Sequence, residues 1–226
     1  MGSRFGLSKD RLIMCAAEEV FSRHGFERAT IDEIVAIANV GKGTVYNYFK
    51  NKELMFYKLV YDKNSVFINN LYQICLGKKT LYDKLISYFE IFIKFYYNNR
   101  AIWQIVFFEM LGTNCACLIQ KVCGEYRVFP RYRSIKVSQE TEEKILRYHK
   151  LLHDEYQILE DIIKEASDRR IVKCKANYED STRFLFFGAA MIVFYSDESL
   201  NRNFDSKKIA KIVVDRYLNG EARDNL

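Results

Sequence analysis

Residues 30–52 read TIDEIVAIANVGKGTVYNYFKNK, and their spacing, charge and turn residues all indicate one local structure. Thr30 and Glu33 have the spacing of a capping box, in which the threonine oxygen accepts a hydrogen bond from a backbone N–H and the glutamate reaches back to another. A short helix is therefore predicted to begin at Ile31, with apolar residues recurring at three and four. The tripeptide at 39–41, which contains a glycine, then supplies a turn with a residue free to take a positive φ.

A second short helix is predicted after this turn, from about residue 42 to 49. Two short helices joined by a turn that contains glycine form a helix-turn-helix, whose second helix can enter the major groove of DNA. Residues 39–52 contain three lysines and no acid, so the segment is cationic where phosphates would lie. Val45 and Phe49 are predicted to point inward, which leaves polar side chains and two tyrosines on the outer face, where they can bond phosphates and base edges.

The run GKGTVYNYFKNKELM, with FSRHGFERATIDEIV before it, resembles the TetR family of bacterial transcriptional regulators. One departure is Gly41, which stands where many members of that family have a serine that caps the second helix. The resemblance implies base contacts from Lys42, Gly43, Thr44 and Tyr46, and phosphate contacts from Thr30, Asn47, Tyr48 and Lys52.

The composition restricts the class of protein. The chain has 226 residues with one proline and ten glycines, and its apolar residues recur at three and four, which predicts an all-α fold. The net charge of +6, from 35 Lys+Arg against 29 Asp+Glu, permits a polyanionic partner. Neither a signal peptide nor the apolar run of about 18 residues that a membrane span needs is visible. A cytoplasmic protein with no membrane partner is therefore expected.

Two domains are predicted. The first, at residues 1–50, is a three-helix DNA-binding head that carries the helix-turn-helix, and the second, at 51–226, is a helical domain for effector binding and dimerisation. The head begins with a helix at about 8–24 that ends at Gly25, with an inner stripe of Ile13, Ala16, Ala17, Val20 and Phe21. The second domain has predicted helices at about 51–75, 80–97, 100–111, 115–126, 139–169, 178–195 and 206–218, with a loop at 127–138.

The segment at 184–195, FLFFGAAMIVFY, is apolar on every face of a helix. A helix of this kind must be covered all round, and the core of one chain covers only one side. The other side is predicted to pack on a second subunit and to form a four-helix bundle with the helix at 139–169, as the resemblance also implies. The predicted interface residues are Leu152, Tyr156, Leu159, Ile163, Leu185, Gly188, Ala189 and Ile192.

The aromatic residues that follow the head could line an effector pocket, although ordinary core packing explains any one of them better. Trp103, Phe107 and Phe108 are the pocket candidates, because the resemblance implies an effector cavity among these helices. Glu109 lies about 180° from Arg100 on a helical wheel, so its side chain is predicted to point inward. A buried carboxylate must be paired, protonated or available to a cation. Glu109 therefore either selects a lipophilic cation or has an internal partner.

Other chemistry has weaker support. His149 and His153 have the i, i+4 spacing that can hold a metal ion, but no HExxH glutamate accompanies them. Cys115, Cys117 and Cys123 could sense metal or redox state, yet positions 115 and 117 diverge by about 200° on a helix. No metal site and no cofactor are predicted. The sequence also lacks a nucleophile elbow and a glycine-rich phosphate loop, so an enzyme is not expected.

These features predict a homodimeric transcriptional regulator, most simply a repressor that a small lipophilic effector releases from a near-palindromic double-stranded DNA operator. One alternative is a metal- or redox-responsive regulator with the same fold. Another is a helical ligand-binding module without DNA binding, which the intact residues of the predicted DNA face argue against.

Overall fold

The computed structural model describes residues 8–77, 80–114, 117–132, 134, 136–169, 177–196 and 204–219. The elements in chain order are α1 (Lys9–Arg28), α2 (Ile31–Ala38), α3 (Lys42–Tyr48), α4 (Lys52–Leu76), α5 (Leu81–Asn98), α6 (Arg100–Asn114), β1 (Cys117–Val122), β2 (Glu125–Pro130), α7 (Gln139–Asp168), α8 (Tyr178–Phe194) and α9 (Ser206–Asn219). The prediction of an all-α fold is confirmed, with one short hairpin added. Among the described helices, none combines the length and the apolar character needed to cross a bilayer.

The hairpin corrects an expectation from the sequence. The helix predicted at 115–126 is wrong over the described residues 117–126, because β1 and β2 pair antiparallel with Val122 opposite Glu125. The loop predicted at 127–138 is wrong only up to Pro130, where β2 ends; the described residues from there to Ser138 form neither helix nor strand. Cys123 and Gly124 connect the strands with φ values of 53° and 89°. Positive φ at both central residues is the geometry of a tight hairpin turn whose twist matches the strands. Both strands then place alternate residues against α7, which is the two-residue period of a sheet.

Contacts within the chain divide it into two compact units, Met1–Ser65 with Ala101–Glu109, and Val66–Arg100 with Met110–Leu226. The division falls inside α4, at 65/66, and at two places in α6, 100/101 and 109/110, whereas the domain boundary predicted from the sequence is 50/51. The first half of α4 belongs with the head because its rings pack there: the Phe56 ring centre lies 5.0 Å from that of Phe21 and 5.4 Å from that of Phe26.

In the first unit, α1, α2 and α3 contact one another as a three-helix head. The predicted inner stripe of α1 is confirmed, since all five of its residues are fully buried. Gly25 interrupts the helix with φ 75° and ψ 178°, at the residue where the sequence predicts its end. Glycine suits this position because a side chain with a Cβ rarely takes a positive φ.

In the second unit, α5 packs on α7, α8 and α9. Its centre is a stack of aromatic rings, in which the Phe92 and Tyr96 ring centres lie 4.1 Å apart and those of Phe67 and Phe95 lie 4.0 Å apart. On α7 a continuous stripe of buried residues from Ile145 to Ala166 faces the interior. A stripe with this spacing is the inner face of an amphipathic helix.

Candidate nucleic-acid interface

The connection between α2 and α3 is built from local hydrogen bonds. The Thr30 hydroxyl accepts a hydrogen bond from the backbone N–H of Glu33 at 3.2 Å, as the capping box predicts. The Glu33 carboxylate does not close the box, because one of its oxygens lies 2.8 Å from Nε2 of His24 on α1. Asn39, and not the glycine, takes the left-handed conformation at φ 52° and ψ 50°. Gly41 is instead the N-cap of α3 with extended backbone, and it supplies no side-chain cap.

The two faces of α3 differ in burial. Val45 is fully buried and anchors the helix on the head. Thr44 and Phe49 are half-buried. The outward face gathers the exposed residues Lys42, Gly43, Tyr46, Asn47 and Tyr48. Two exposed tyrosines and an asparagine on one short helix form a surface of hydrogen-bond donors and acceptors that a base edge or a phosphate can use.

Gly43 is informative because the fold does not require it. A Cβ built at this position would meet no atom within 4 Å, and the backbone φ is not positive. Glycine inside a helix is destabilising by about 0.5–1 kcal/mol relative to alanine. No contact within the head requires a glycine at this position. A binding partner whose backbone approaches α3 closely from outside would explain why a side chain is absent there.

The charge on this face is more balanced than residues 39–52 suggest. Lys42 Nζ lies 2.7 Å from an Asp32 carboxylate oxygen, and both side chains are exposed. This hydrogen bond raises the pKa of the Lys42 ammonium. Asp32 lies in the first turn of α2, outside the residues 39–52 over which the charge was counted from the sequence. This carboxylate lies beside the predicted DNA-contacting residues, and sequence reasoning did not identify it.

Lys52 differs from the other residues predicted to contact DNA. Its ammonium donates hydrogen bonds to the backbone oxygens of Phe26, Glu27 and Ala29 at 2.8, 3.1 and 3.2 Å. Its side chain is half-buried rather than exposed. The structure therefore groups Lys52 with the end of α1, and not with the outward residues of α3.

Three of the four residues predicted to bind an effector have described side chains, and these three do not all face the same way. Trp103 and Phe107 are buried, but Phe108 is 60% exposed on the opposite side of the same helix. The side chain of Glu109 lies outside the described residues. A fully buried carboxylate does occur at Glu155 on α7, where the Tyr96 hydroxyl donates a hydrogen bond to Oε2 at 2.6 Å.

Glu155 could have been found from the sequence. It stands within the buried stripe of α7, four residues after Leu151 and three before Ile158, both of which are buried. A carboxylate at that spacing faces the core as firmly as its apolar neighbours do. Burial of a carboxylate is costly unless hydrogen bonds compensate it, which the tyrosine hydroxyl does in part.

A small cavity is present in the second unit. Its volume is about 120 Å³, and its lining residues are Tyr72, Lys84, Ile158, Asp161, Ile162 and Glu165. Lys84 Nζ lies 2.8 Å from Oε2 of Glu165, and this hydrogen bond lowers the pKa of the glutamate. None of the predicted effector-binding residues lines this cavity. Cavities that enclose drug-sized ligands are usually about 300–1,000 Å³, so this one holds only a small group.

Most of the residues predicted to form the subunit interface lie on the inward faces of α7 and α8. Leu152, Leu159, Ile163, Leu185 and Ala189 are buried in the core of a single chain, and Tyr156 is half-buried, so little of them is left for a partner. Gly188 and Ile192 are exposed in a single chain. The helical wheel of an apolar segment does not reveal its inward face, because that depends on where α5 and α7 lie.

The apolar residues of α8 that are open to solvent form one stripe. They are Phe184 (78% exposed), Phe187 (39%), Ile192 (42%) and, just after the helix, Tyr195 (76%), with Gly188 between them. We call this set the α8 stripe. The spacing of three and four residues places these side chains along one side of the helix. Large exposed apolar patches on soluble proteins usually mark an interaction surface.

His149 and His153, the pair with metal-binding spacing, contact aromatic side chains in the part of the chain that the structure describes. The His149 and His153 rings stack in parallel with centres 5.7 Å apart. His153 Nε2 and Nδ1 lie 3.3 and 2.6 Å from the hydroxyls of Tyr126 and Tyr156. No cluster of three or more His, Cys, Asp or Glu side chains suited to a metal ion is found among the described residues. Cys117 is buried and Cys123 is exposed at the hairpin turn, while Cys115 lies outside the described residues.

Residues 13–58, which include α2, α3 and the start of α4, match the family model described as bacterial regulatory proteins, tetR family. Over 50 residues the chain is 44% identical to the uncharacterized HTH-type transcriptional regulator YhgD of Bacillus subtilis (strain 168), which covers 22% of this chain and 26% of that protein. Over 73 residues it is 36% identical to the fatty acid metabolism regulator protein of the same organism, which covers 32% of this chain and 38% of that protein. The matches thus span only about a quarter to two-fifths of these relatives.

Solved structures share the fold over nearly the whole chain. The transcriptional regulator FadR from Bacillus subtilis, solved in complex with stearoyl-CoA, has a TM-score of 0.68 at 20% identity, covering 94% of this chain and 99% of that chain. The TetR family transcriptional regulator PfmR from Thermus thermophilus has a TM-score of 0.69 at 13% identity, covering 93% and 99%. Similarity at this identity shows the fold alone. Together with the match at residues 13–58, it shows that the chain is similar to TetR-family transcriptional regulators in its helix-turn-helix and in its fold.

Proposed function

We propose that this regulator is a homodimeric repressor that binds a near-palindromic operator with α3 in the major groove and is released by a small lipophilic effector. The observation that carries the DNA-binding part is the outward face of α3, where exposed tyrosines and an asparagine surround a glycine that the fold does not need. We assign base contacts to Lys42, Gly43, Thr44 and Tyr46, and phosphate contacts to Thr30, Asn47 and Tyr48.

The homodimer is supported by the α8 stripe. An isolated subunit would expose two phenylalanines, an isoleucine and a tyrosine side by side, which is unfavourable in water. A two-fold axis lets the same stripe cover itself, because the patch on one subunit meets an identical patch on the other. Two heads related by that axis would suit two half-sites about one helical turn of DNA apart, or a multiple of it.

For the effector we propose a fatty acyl thioester. This rests on two relatives, one named as a fatty acid metabolism regulator and one solved in complex with stearoyl-CoA. The apolar, aromatic interior of the second unit is compatible with an acyl chain. The cavity of about 120 Å³ is too small for such a chain, so binding would require a state with a larger interior. That requirement gives the effector a preference for one conformation, without which no ligand can shift an equilibrium.

Release then follows from linkage. If the acyl thioester binds the opened state better and the operator binds the closed state better, each ligand must weaken the other by the same factor. A typical coupling of about 1–3 kcal/mol would change operator affinity by about 5- to 150-fold.

The test is fluorescence anisotropy of labelled DNA from the region upstream of the protein's own gene, measured from about 50 to about 300 mM salt, where phosphate contacts respond strongly. Lys50 is exposed just after α3, and if it neutralises one phosphate per subunit the slope of log K against log salt should be about −1.8 for the dimer, and steeper if further cations take part. Adding stearoyl-CoA should then weaken binding at least about fivefold, whereas free coenzyme A should not.

The outcomes separate the parts of the proposal. No saturable binding to upstream DNA, or a slope near zero, would contradict DNA recognition by α3. Operator binding that stearoyl-CoA leaves unchanged would contradict the effector class only.

A further inference from the structure

The first residue of α4 makes contacts unlike those of any residue on the outward face of α3. The Lys52 ammonium donates to the backbone oxygens of Phe26, Glu27 and Ala29. Its nitrogen also lies 4.6 Å from the centre of the Phe26 ring. A lysine ammonium has three hydrogens, so these three acceptors use all of its donors.

The three oxygens lie where α1 gives way to α2. Gly25 breaks the regular helix, and the residues after it lead through Ala29, the C-cap of α1, to Thr30, the N-cap of α2. Carbonyls at the end of a helix have no intrahelical partners and carry partial negative charge. A cation placed against them satisfies several acceptors at once and fixes the chain that enters α2.

We infer that Lys52 is a positioning residue for DNA recognition: it holds the junction of α1 and α2 on the first turn of α4, so that α2 and α3 keep a fixed orientation on that turn. The inference rests on the proposed DNA-binding function and differs from the phosphate contact that the family resemblance implies for this residue. An ammonium whose donors are occupied inside the head has none left for a phosphate.

Two roles for a lysine have different salt signatures. A lysine that neutralises a phosphate releases a counterion, so its loss makes the slope of log K against log salt shallower by about 0.9 per subunit, or about 1.8 per dimer. A lysine that positions the reading helix lowers affinity by a similar factor at every salt concentration and leaves the slope unchanged.

The experiment compares Lys52→Met, Lys52→Gln and Lys50→Met in the full-length protein, using anisotropy of the labelled upstream DNA across the same salt range. Lys50 is the matched control, because it is an exposed lysine two residues away. Lys52→Met should lose at least about tenfold in affinity with the wild-type slope. Lys52→Gln, which keeps two donors, should lose less. Lys50→Met should make the slope shallower if it contacts a phosphate.

Hydrogen exchange on the DNA-free proteins provides a second readout. In Lys52→Met the peptide that covers residues 26–38 should exchange faster, with little change in the peptides of α8. Should Lys52→Met fail to fold, Lys52→Gln supports the same comparison.

Three outcomes would overturn the inference: an unchanged affinity, a slope shallower by about 1.8, or unchanged exchange at 26–38. If the wild-type protein itself does not bind the DNA, the proposed function fails, and the exchange data still decide whether Lys52 holds the junction.

Discussion

Truncating Phe184 to alanine should separate the subunits without unfolding them. The ring is 78% exposed in a single chain, so it contributes little to that chain's own core. It lies near the start of the α8 stripe, and in the proposed dimer it would be covered by the partner. Its loss should therefore appear in the association of subunits and hardly at all in the stability of the monomer fold.

The magnitude follows from the exposed area. An aromatic side chain offers about 150–250 Å² for burial, so the open fraction of Phe184 corresponds to about 120–190 Å². At about 25 cal/mol per Å² this is roughly 3–5 kcal/mol per subunit, and alanine retains part of it. A loss of about 2–3 kcal/mol from each of two subunits raises the dimer dissociation constant by about three to four orders of magnitude.

Sedimentation velocity from nanomolar to high micromolar protein measures that constant, and circular dichroism checks that the variant remains helical. Phe129→Ala is the matched control, since this phenylalanine is also exposed but lies on β2 of the hairpin. It should leave the dissociation constant within about threefold of wild type. A Phe184→Ala protein that dimerises within about tenfold of wild type would refute the assignment of the interface to the α8 stripe. A wild-type protein that stays monomeric at all concentrations would refute the homodimer.

Two further predictions concern stability. Gly41→Ser should raise the free energy of unfolding by about 0.5–1 kcal/mol in urea titrations. The backbone at this position, with φ −70° and ψ 146°, suits serine, and its Cβ would lie 3.7 Å from Thr44 Oγ1. An unchanged or lower free energy of unfolding would show that a serine at this position does not cap α3. Lowering the pH should destabilise the protein between about pH 6.5 and 4, because burial lowers the pKa of His149 to about 4 and the unfolded chain therefore binds the proton first. The loss from this residue at pH 5 should be on the order of 1 kcal/mol once solvent screening is allowed for. His149→Gln should remove that share, and identical pH profiles for variant and wild type would contradict it.

The helix-turn-helix was predictable because its signals are local. The cap at Thr30, the anchor at Val45 and the outward face of α3 each depend on residues within a few positions of one another. The choice of Asn39 for the left-handed position is also a local matter, since asparagine tolerates that conformation better than most residues. Sequence reasoning that considers only the missing Cβ would instead choose Gly41 for the left-handed position, but Gly41 has extended backbone.

The hairpin was missed for a different reason. Its apolar residues are few and mixed with charges, so a helical period and a strand period fit nearly as well over so short a stretch. The Cys123-Gly124 pair was the available signal, because a residue followed by glycine between two β-branched or aromatic runs is typical of a two-residue hairpin loop.

The inward face of α8 and the contacts of Lys52 were beyond local reasoning. An apolar helix has no preferred side until its neighbours are placed, so Leu185 and Phe184 are equivalent by composition and opposite in burial. Lys52 finds its acceptors 23 to 26 residues earlier in the chain, which no short window along the sequence contains.

The pairing of Lys42 with Asp32 has a consequence for how such a regulator would search a chromosome. A lysine that already holds a carboxylate at 2.7 Å presents almost no net charge to random DNA, so it adds little to sequence-independent attraction. In the proposed complex, an operator that offers the Lys42 ammonium a better acceptor than Asp32 would gain this contact, whereas random DNA would leave the ion pair in place.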